Sequence, residues 1–210
     1  PIVGNAITSF ETAKLVKSDK HPGGNVTGVS DMAPVAAQLD LGLKLLPGTK
    51  KVGLMYTSSE MNSHVQINIA KEHLKKLGIA YEEGSVNTVN DIQEIARGLI
   101  SRGVNFIYVP TDNIIVSATP ALVAITDEAK IPVVAAEASL LKSGATASIN
   151  IEYYKLGVLS GEMAADILAG KSKPQDMPIQ FQKDFTSIIN KGHAEKLGIK
   201  IPEELAQFAK

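Results

Sequence analysis

Short apolar runs alternate with stretches of helical period along nearly the whole chain, and three of those runs end in polar residues. Val52-Gly53-Leu54-Met55-Tyr56 leads into Thr57-Ser58-Ser59-Glu60, and Phe106-Ile107-Tyr108-Val109 into Pro110-Thr111-Asp112-Asn113. Pro132-Val133-Val134-Ala135-Ala136 leads into Glu137. Such alternation restricts the fold to βαβ units, an α/β architecture with parallel sheets flanked by helices. In an open parallel sheet, ligands bind outside the carboxyl ends of the strands. Hydroxyls, carboxylates and an amide at those ends suit a small polar ligand held by hydrogen bonds.

The pattern predicts a strand at Ile2-Val3, a helix from about Phe10 to Lys17 and a strand over Val26–Ser30. Val35, Leu39, Leu43 and Leu46 mark a helix stopped by Pro47-Gly48, and Val65 to Leu77 a second one capped at Gly78. Asn90 with Gln93 three residues on reads as an N-cap before Ile92, Ile95, Ala96, Leu99 and Ile100. One helix is expected from about Ser117 to Ala129 and another from Tyr154 to Leu168, with extended segments at 177–182 and 185–190. Residues 33–152 with 179–210 are expected to form a C-terminal lobe. Residues 1–32 with 153–178 form part of an N-terminal one.

With 44% hydrophobic and 20% charged residues and a formal net charge of −1, this is a globular composition. That balance gives no electrostatic reason to expect nucleic acid or an anionic membrane as partner. The cluster from Lys71 to Lys76 alternates with Glu72 on a helix and reads as a solvated face. There is no cysteine, and no apolar run approaches the ~20 residues of a membrane-spanning helix. The opening Pro1-Ile2-Val3-Gly4 already reads as a buried strand, so a truncated beginning is expected.

Catalytic signatures are missing. No Walker A loop, dinucleotide glycine motif, His-Glu-x-x-His or Gly-x-Ser-x-Gly occurs, and the four histidines are dispersed. No cofactor and no metal site is expected, and the chain reads as a binder, not an enzyme. His64 reads as a helix-surface histidine.

Binding chemistry is better represented. The helix beginning near Asn62 offers unpaired N–H groups and a positive dipole end to an anion, with hydroxyls from Ser58, Ser59 and Ser63 nearby. Ser59 or Glu60 either contacts ligand or simply caps that helix. Asp112 has the same two readings: a cap, or a partner for a ligand ammonium. With a strand order of 2-1-3-4-5, the tips at 57–60 and 111–113 flank the switch point. An anion-accepting helix end facing an acidic residue suits a zwitterion, most simply an α-amino acid.

Pro22-Gly23-Gly24-Asn25-Val26-Thr27-Gly28-Val29-Ser30-Asp31, Pro110-Thr111-Asp112-Asn113, Ile151-Glu152-Tyr153-Tyr154-Lys155-Leu156-Gly157 and the ending from Ile189-Asn190-Lys191 to Lys196-Leu197-Gly198-Ile199 together resemble one family. The chain is similar over its whole length to the substrate-binding proteins of ABC transporters of the tryptophan/tyrosine uptake group, with the type I periplasmic-binding fold. The resemblance implies an extracytoplasmic receptor of two lobes that closes on a small ligand, an aromatic or other L-amino acid, and delivers it to a membrane permease. Membrane contact would come only through that permease or a lipid anchor outside this chain. By matching motif, Ser59, Glu60, Asn62 and Ser63 stand in the first binding loop, Thr111, Asp112 and Asn113 in the third and Glu137 in the fourth. Asn5, Ala6 and Thr8 belong to the other lobe, and Tyr153 lies near the hinge strand, where it either packs or contacts ligand. The family carries further residues ahead of the position of Pro1, part of its N-terminal lobe. A ligand-sensing domain of a transcriptional regulator and a sugar or nucleoside receptor share this fold. An enzyme using Asp112 and Glu137 as an acid/base pair is the remaining alternative.

Overall fold

The computed structural model describes all 210 residues. They form two compact units: residues 1–32 with 151–185, and residues 33–150 with 186–210.

The smaller unit holds a three-stranded parallel sheet. β1 (Ile2–Asn5) pairs with β2 (Val26–Ser30), which pairs with β8 (Gln180–Phe181). α7 (Tyr153–Leu168) packs on β1 and β2. It buries only Leu156 and Met163, while Tyr154, Val158 and Leu168 stay exposed.

The larger unit is the βα series that the sequence pattern predicts. Its helices are α1 (Val35–Leu45), α2 (Met61–Lys76), α3 (Ile92–Ser101), α4 (Asn113–Ser117), α5 (Thr119–Glu128), α6 (Ala138–Lys142) and α8 (Lys191–Leu197). Its strands are β3 (Lys51–Thr57), β4 (Ala80–Val86), β5 (Phe106–Val109), β6 (Val133–Ala135), β7 (Ala147–Asn150) and β9 (Thr186–Ile189). They lie in the order β4-β3-β5-β6-β7-β9, all parallel except β9, which runs antiparallel to β7. The five parallel strands therefore have the order 2-1-3-4-5 in their own sequence.

Both faces of this sheet are covered, so its central strands are continuous apolar runs. Ile107, Val109, Val133 and Ala135 join Ile92, Ala96, Leu99, Leu122 and Ile125 in one layer. On the other face α1 comes close because Gly42 has no side chain: a Cβ there would stand 2.8 Å from Phe106 Cζ and 3.0 Å from Val134 Cγ2. A mid-helix glycine costs about 1 kcal/mol against alanine, and the close helix–sheet contact is what it permits.

Several local expectations are corrected. Residues 10–17 form turns, not a helix: Ser9 Oγ accepts from Thr12 N at 3.2 Å, Lys14 has φ 57°, and Phe10 alone is fully buried there. The helix expected over 117–129 is two helices broken at Ala118, because Pro120 in the first turn of α5 excludes a continuous ladder. Thr119 Oγ1 donates to the carbonyls of Ile115 and Val116 at that break. The cap before α3 is Thr88 with Asp91, whose Oδ2 accepts from Asn87 N and Thr88 N at 2.9 Å each, in place of Asn90 with Gln93. Residues 151–152 and 179–185 cluster with the smaller unit, since Gln180 and Phe181 pair with Val29 and Ser30, and Gln182 Oε1 accepts from Glu152 N at 2.9 Å.

Candidate functional site

β3, β5 and β6 are neighbours in the sheet, so their carboxyl ends bring residues 57–63, 110–113 and 136–137 to one rim. The chain leaves β3 for β4 on one side and returns to β5 on the other, which makes the β3/β5 rim the switch point. Within the larger unit the structure thus gathers Ser58, Ser59, Glu60, Asn62, Ser63, Thr111, Asp112, Asn113 and Glu137 on the tips of three adjacent strands or the start of α2.

Asp112 is fully buried and caps α4. Its Oδ1 accepts from Thr57 Oγ1 at 2.7 Å and Ile115 N at 3.0 Å, and its Oδ2 from Thr57 N at 2.6 Å and Ser63 Oγ at 2.8 Å. Of the two roles the sequence leaves open to it, the structure shows the cap. Glu60 precedes α2, yet its side chain turns to α4 instead of capping its own helix. Oε2 accepts from Asn62 Nδ2 at 3.0 Å, Asn113 N at 3.1 Å and Asn113 Nδ2 at 2.9 Å, while Oε1 accepts from Ile114 N at 3.1 Å. Burial pushes the Glu60 carboxyl up, but these donors outweigh it and hold the group below its ordinary value.

The Thr111 carbonyl accepts from Asn62 Nδ2 at 2.8 Å and Ser63 Oγ at 3.2 Å. Ser58 Oγ donates to Asn87 Oδ1 at 2.5 Å, and Ser59 is exposed. His64 is exposed, its Nε2–H meeting the Ser58 carbonyl at 2.7 Å and its ring set edge-on to Tyr56. Glu137, half-buried at the end of the β6 segment, accepts from Ser139 Oγ at 3.0 Å.

Sequence reasoning misses two side chains behind this rim. Gln66 is fully buried, and its Oε1 accepts from Thr111 N at 3.1 Å. Gln38, also buried, donates to the carbonyls of Ala136 at 3.2 Å and Ile149 at 2.8 Å and accepts from Tyr108 OH at 2.8 Å. The available signal is a long amide inside an apolar stripe: Gln66 lies among Ser63, Ile67, Ala70 and Leu74.

In the smaller unit, Asn5 ends β1 and is exposed, Ala6 follows at φ 57°, and Thr8 is buried. Thr8 Oγ1 donates to Asp31 Oδ1 at 2.8 Å, and Ser30 Oγ donates to the Thr8 carbonyl at 2.8 Å. Asp31 is a further missed residue, and burial pushes its carboxyl up against the Thr8 hydrogen bond. Tyr153 begins α7 with two-fifths of its surface exposed.

No group of three or more His, Asp or Glu is placed to hold a metal ion. One relay elsewhere has the connectivity of a hydrolytic triad: Thr146 Oγ1 lies 3.0 Å from His193 Nδ1, whose Nε2 is 2.6 Å from Asp127 Oδ1. Thr146 has no exposed surface and its oxygen accepts from Val133 N at 3.2 Å, so no substrate reaches it. The relay fastens α8 to α5 and to Thr146 just ahead of β7.

A parallel α/β unit whose polar strand tips meet at its switch point has the layout at which open α/β sheets bind small ligands. Sequence comparison gives it a family: "ABC transporter substrate binding protein" matches residues 1–210, and the chain belongs to that family. It is 36% identical over 200 residues to a tyrosine-binding protein of Clostridioides difficile, covering 95% of this chain and 57% of that relative. The chain therefore spans little more than half the length of that curated relative. A Streptococcus pneumoniae ABC domain solved in complex with L-Trp is 38% identical, with a TM-score of 0.91 over 100% of this chain and 72% of its own. A ligand-free, open substrate binding protein with adhesive properties from Clostridium difficile is 38% identical, with a TM-score of 0.78 over 97% of this chain and 68% of its own. These neighbours share the parallel-sheet, periplasmic-binding type of fold. No helix of this chain is long and apolar enough to cross a membrane.

Proposed function

We propose that the chain is the ligand-binding portion of an extracytoplasmic ABC-importer receptor that captures an L-amino acid, aromatic ones foremost, for delivery to a permease. One observation carries the reading: the tips after β3 and β5 meet at the switch point, beside a 16-residue helix whose first turn no side chain caps. That helix start is suited to the carboxylate of an amino acid, with Ser58, Ser59, Asn62 and Asn113 as polar neighbours. We assign the ammonium to Glu137, which follows β6 on the same rim and which the family resemblance puts in a binding loop. Thr111 shapes the rim through its carbonyl. Asn5, Ala6, Thr8 and Tyr153 are proposed as further ligand contacts on the family resemblance. The tyrosine-binding relative and the L-Trp complex support an aromatic side chain.

A thermal-shift panel of L-amino acids, sugars and nucleosides on the complete protein tests this. A ligand at ~100 times its dissociation constant adds about 2.7 kcal/mol of stability, and the shift is expected with L-tryptophan or L-tyrosine. A response confined to sugars or nucleosides would overturn the amino-acid reading.

A further inference from the structure

The segment from Thr111 to Ile115 hangs largely from side chains of α2 and of Glu60 just ahead of it. Thr111 N donates to Gln66, Asn113 N and Ile114 N to Glu60, and Ile115 N to Asp112, whose other oxygen holds Thr57 N. The carbonyl of Thr111 is held by Asn62 and Ser63. Four of five consecutive backbone N–H groups thus end on side-chain oxygens, three of them on two carboxylates.

A carboxylate has about four lone-pair sites, and the two oxygens of Asp112 already accept four hydrogen bonds with the residue fully buried. A ligand ammonium could reach it only by displacing a bond that joins β3, α2 or α4 to it. We propose that Asp112 and Glu60 are positioning residues, which fasten the tips after β3 and β5 into one preformed wall of the ligand site. Asp112 sets affinity through Thr57, Ser63 and the start of α4, without touching ligand. This rests on the reading of that rim as the amino-acid site.

The chemistry of an amide replacement makes the point testable. In Asp112→Asn one orientation sets an NH2 against Thr57 N–H and the other sets it against Ile115 N–H, so a buried backbone donor loses its acceptor either way. Glu60→Gln does the same, more mildly, at the exposed edge of the fastening.

The experiment uses the complete protein, with calorimetric titration of L-tryptophan and L-tyrosine and hydrogen exchange of the ligand-free state. Asp112→Asn is expected to lower affinity at least ~10-fold, the effect of about 1.4 kcal/mol, for whichever amino acid the wild type binds. Exchange should rise within residues 57–64 and 111–117 while the remaining sheet keeps its protection. Glu60→Gln should give the same local signature with a loss of about threefold, and it carries the test if Asp112→Asn does not fold. Lost affinity with unchanged exchange would mean direct ligand contact, and raised exchange with unchanged affinity would mean a structural role alone. Either result overturns the proposal. Failure of the wild type to bind either amino acid would instead overturn the reading of the site.

Discussion

Strand tips in the two units handle an acidic side chain in opposite ways. In the larger unit Asp112 and Glu60 each accept four hydrogen bonds, and Glu60 is held below its ordinary value despite its burial. In the smaller unit Asp31 is buried with the Thr8 hydroxyl as its side-chain donor, and burial wins, pushing the carboxyl up. Glu60 is half-buried and rich in donors, whereas Asp31 is more deeply buried with few, so burial and donor number together set the sign. A carboxylate wrapped in donors serves as a fastener, whereas one with few donors is a cost the fold carries.

The sharpest way to break this comparison is to remove both carboxylates in turn. Asp112→Ala orphans Thr57 N and Ile115 N in the core along with the Thr57 hydroxyl, and at ~1–3 kcal/mol for a buried unsatisfied group the loss should be about 3 kcal/mol. Asp31→Ala leaves the Thr8 hydroxyl, able to rotate, and the backbone N–H of residue 31 without that acceptor and should cost about 1 kcal/mol. Denaturant unfolding of the complete protein measures both. Equal losses would show that donor count does not separate the two tips.

The same contrast explains what the sequence could and could not disclose. The order 2-1-3-4-5 and the clustering of residues 57–63 with 111–113 follow from apolar runs and polar ends, because periodicity records burial. The partners of Asp112 were not legible: Thr57 and Ser63 lie 55 and 49 residues away, and no local pattern encodes which hydroxyl meets which carboxylate. Local rules also failed where two of them competed. Residues 10–17 carry apolar side chains at helical spacing, but one buried phenylalanine does not stabilise a helix of two turns. At Ala118 the proline two positions on outweighed an otherwise continuous pattern. Gln180 and Phe181 are too short a strand to show any period, so their pairing with β2 had no signal.

A second test asks which tip carboxylate belongs to the ligand. Glu137→Gln should lower affinity for L-tryptophan about tenfold, the worth of one charged hydrogen bond, and leave binding of 3-indolepropionate, which lacks the amino group, unchanged. Calorimetric titration of both ligands reads the difference. Equal losses for the two would remove Glu137 from the ammonium and make it another positioning group.

Acid pH gives a smaller effect with opposite signs at the two tips. The folded pKa of Glu60 lies below its ordinary 4.5, so its contribution is present above that value and is lost as pH falls through the folded pKa. Asp31 lies above its ordinary 3.8, so its ionised form opposes folding at neutral pH, and protonation relieves that cost as pH falls through the raised pKa. Carboxyl NMR titration should place the Glu60 midpoint below 4.5 and the Asp31 midpoint above 3.8. Midpoints displaced in the same direction would refute the contrast.

The smallest expected change is the most informative about the smaller unit. Asp31→Asn keeps an oxygen for the Thr8 hydroxyl at nearly the same place and removes the buried charge. At pH 7 the variant should be as stable as the wild type or more stable by up to about 1 kcal/mol, with the gain shrinking as pH falls and wild-type Asp31 takes up its proton. Unfolding midpoints of both forms between pH 7 and pH 4 trace that convergence. A loss of stability at pH 7 would mean that ionised Asp31 has donors enough to be a fastener like Asp112, and the two tips would then differ in location but not in chemistry.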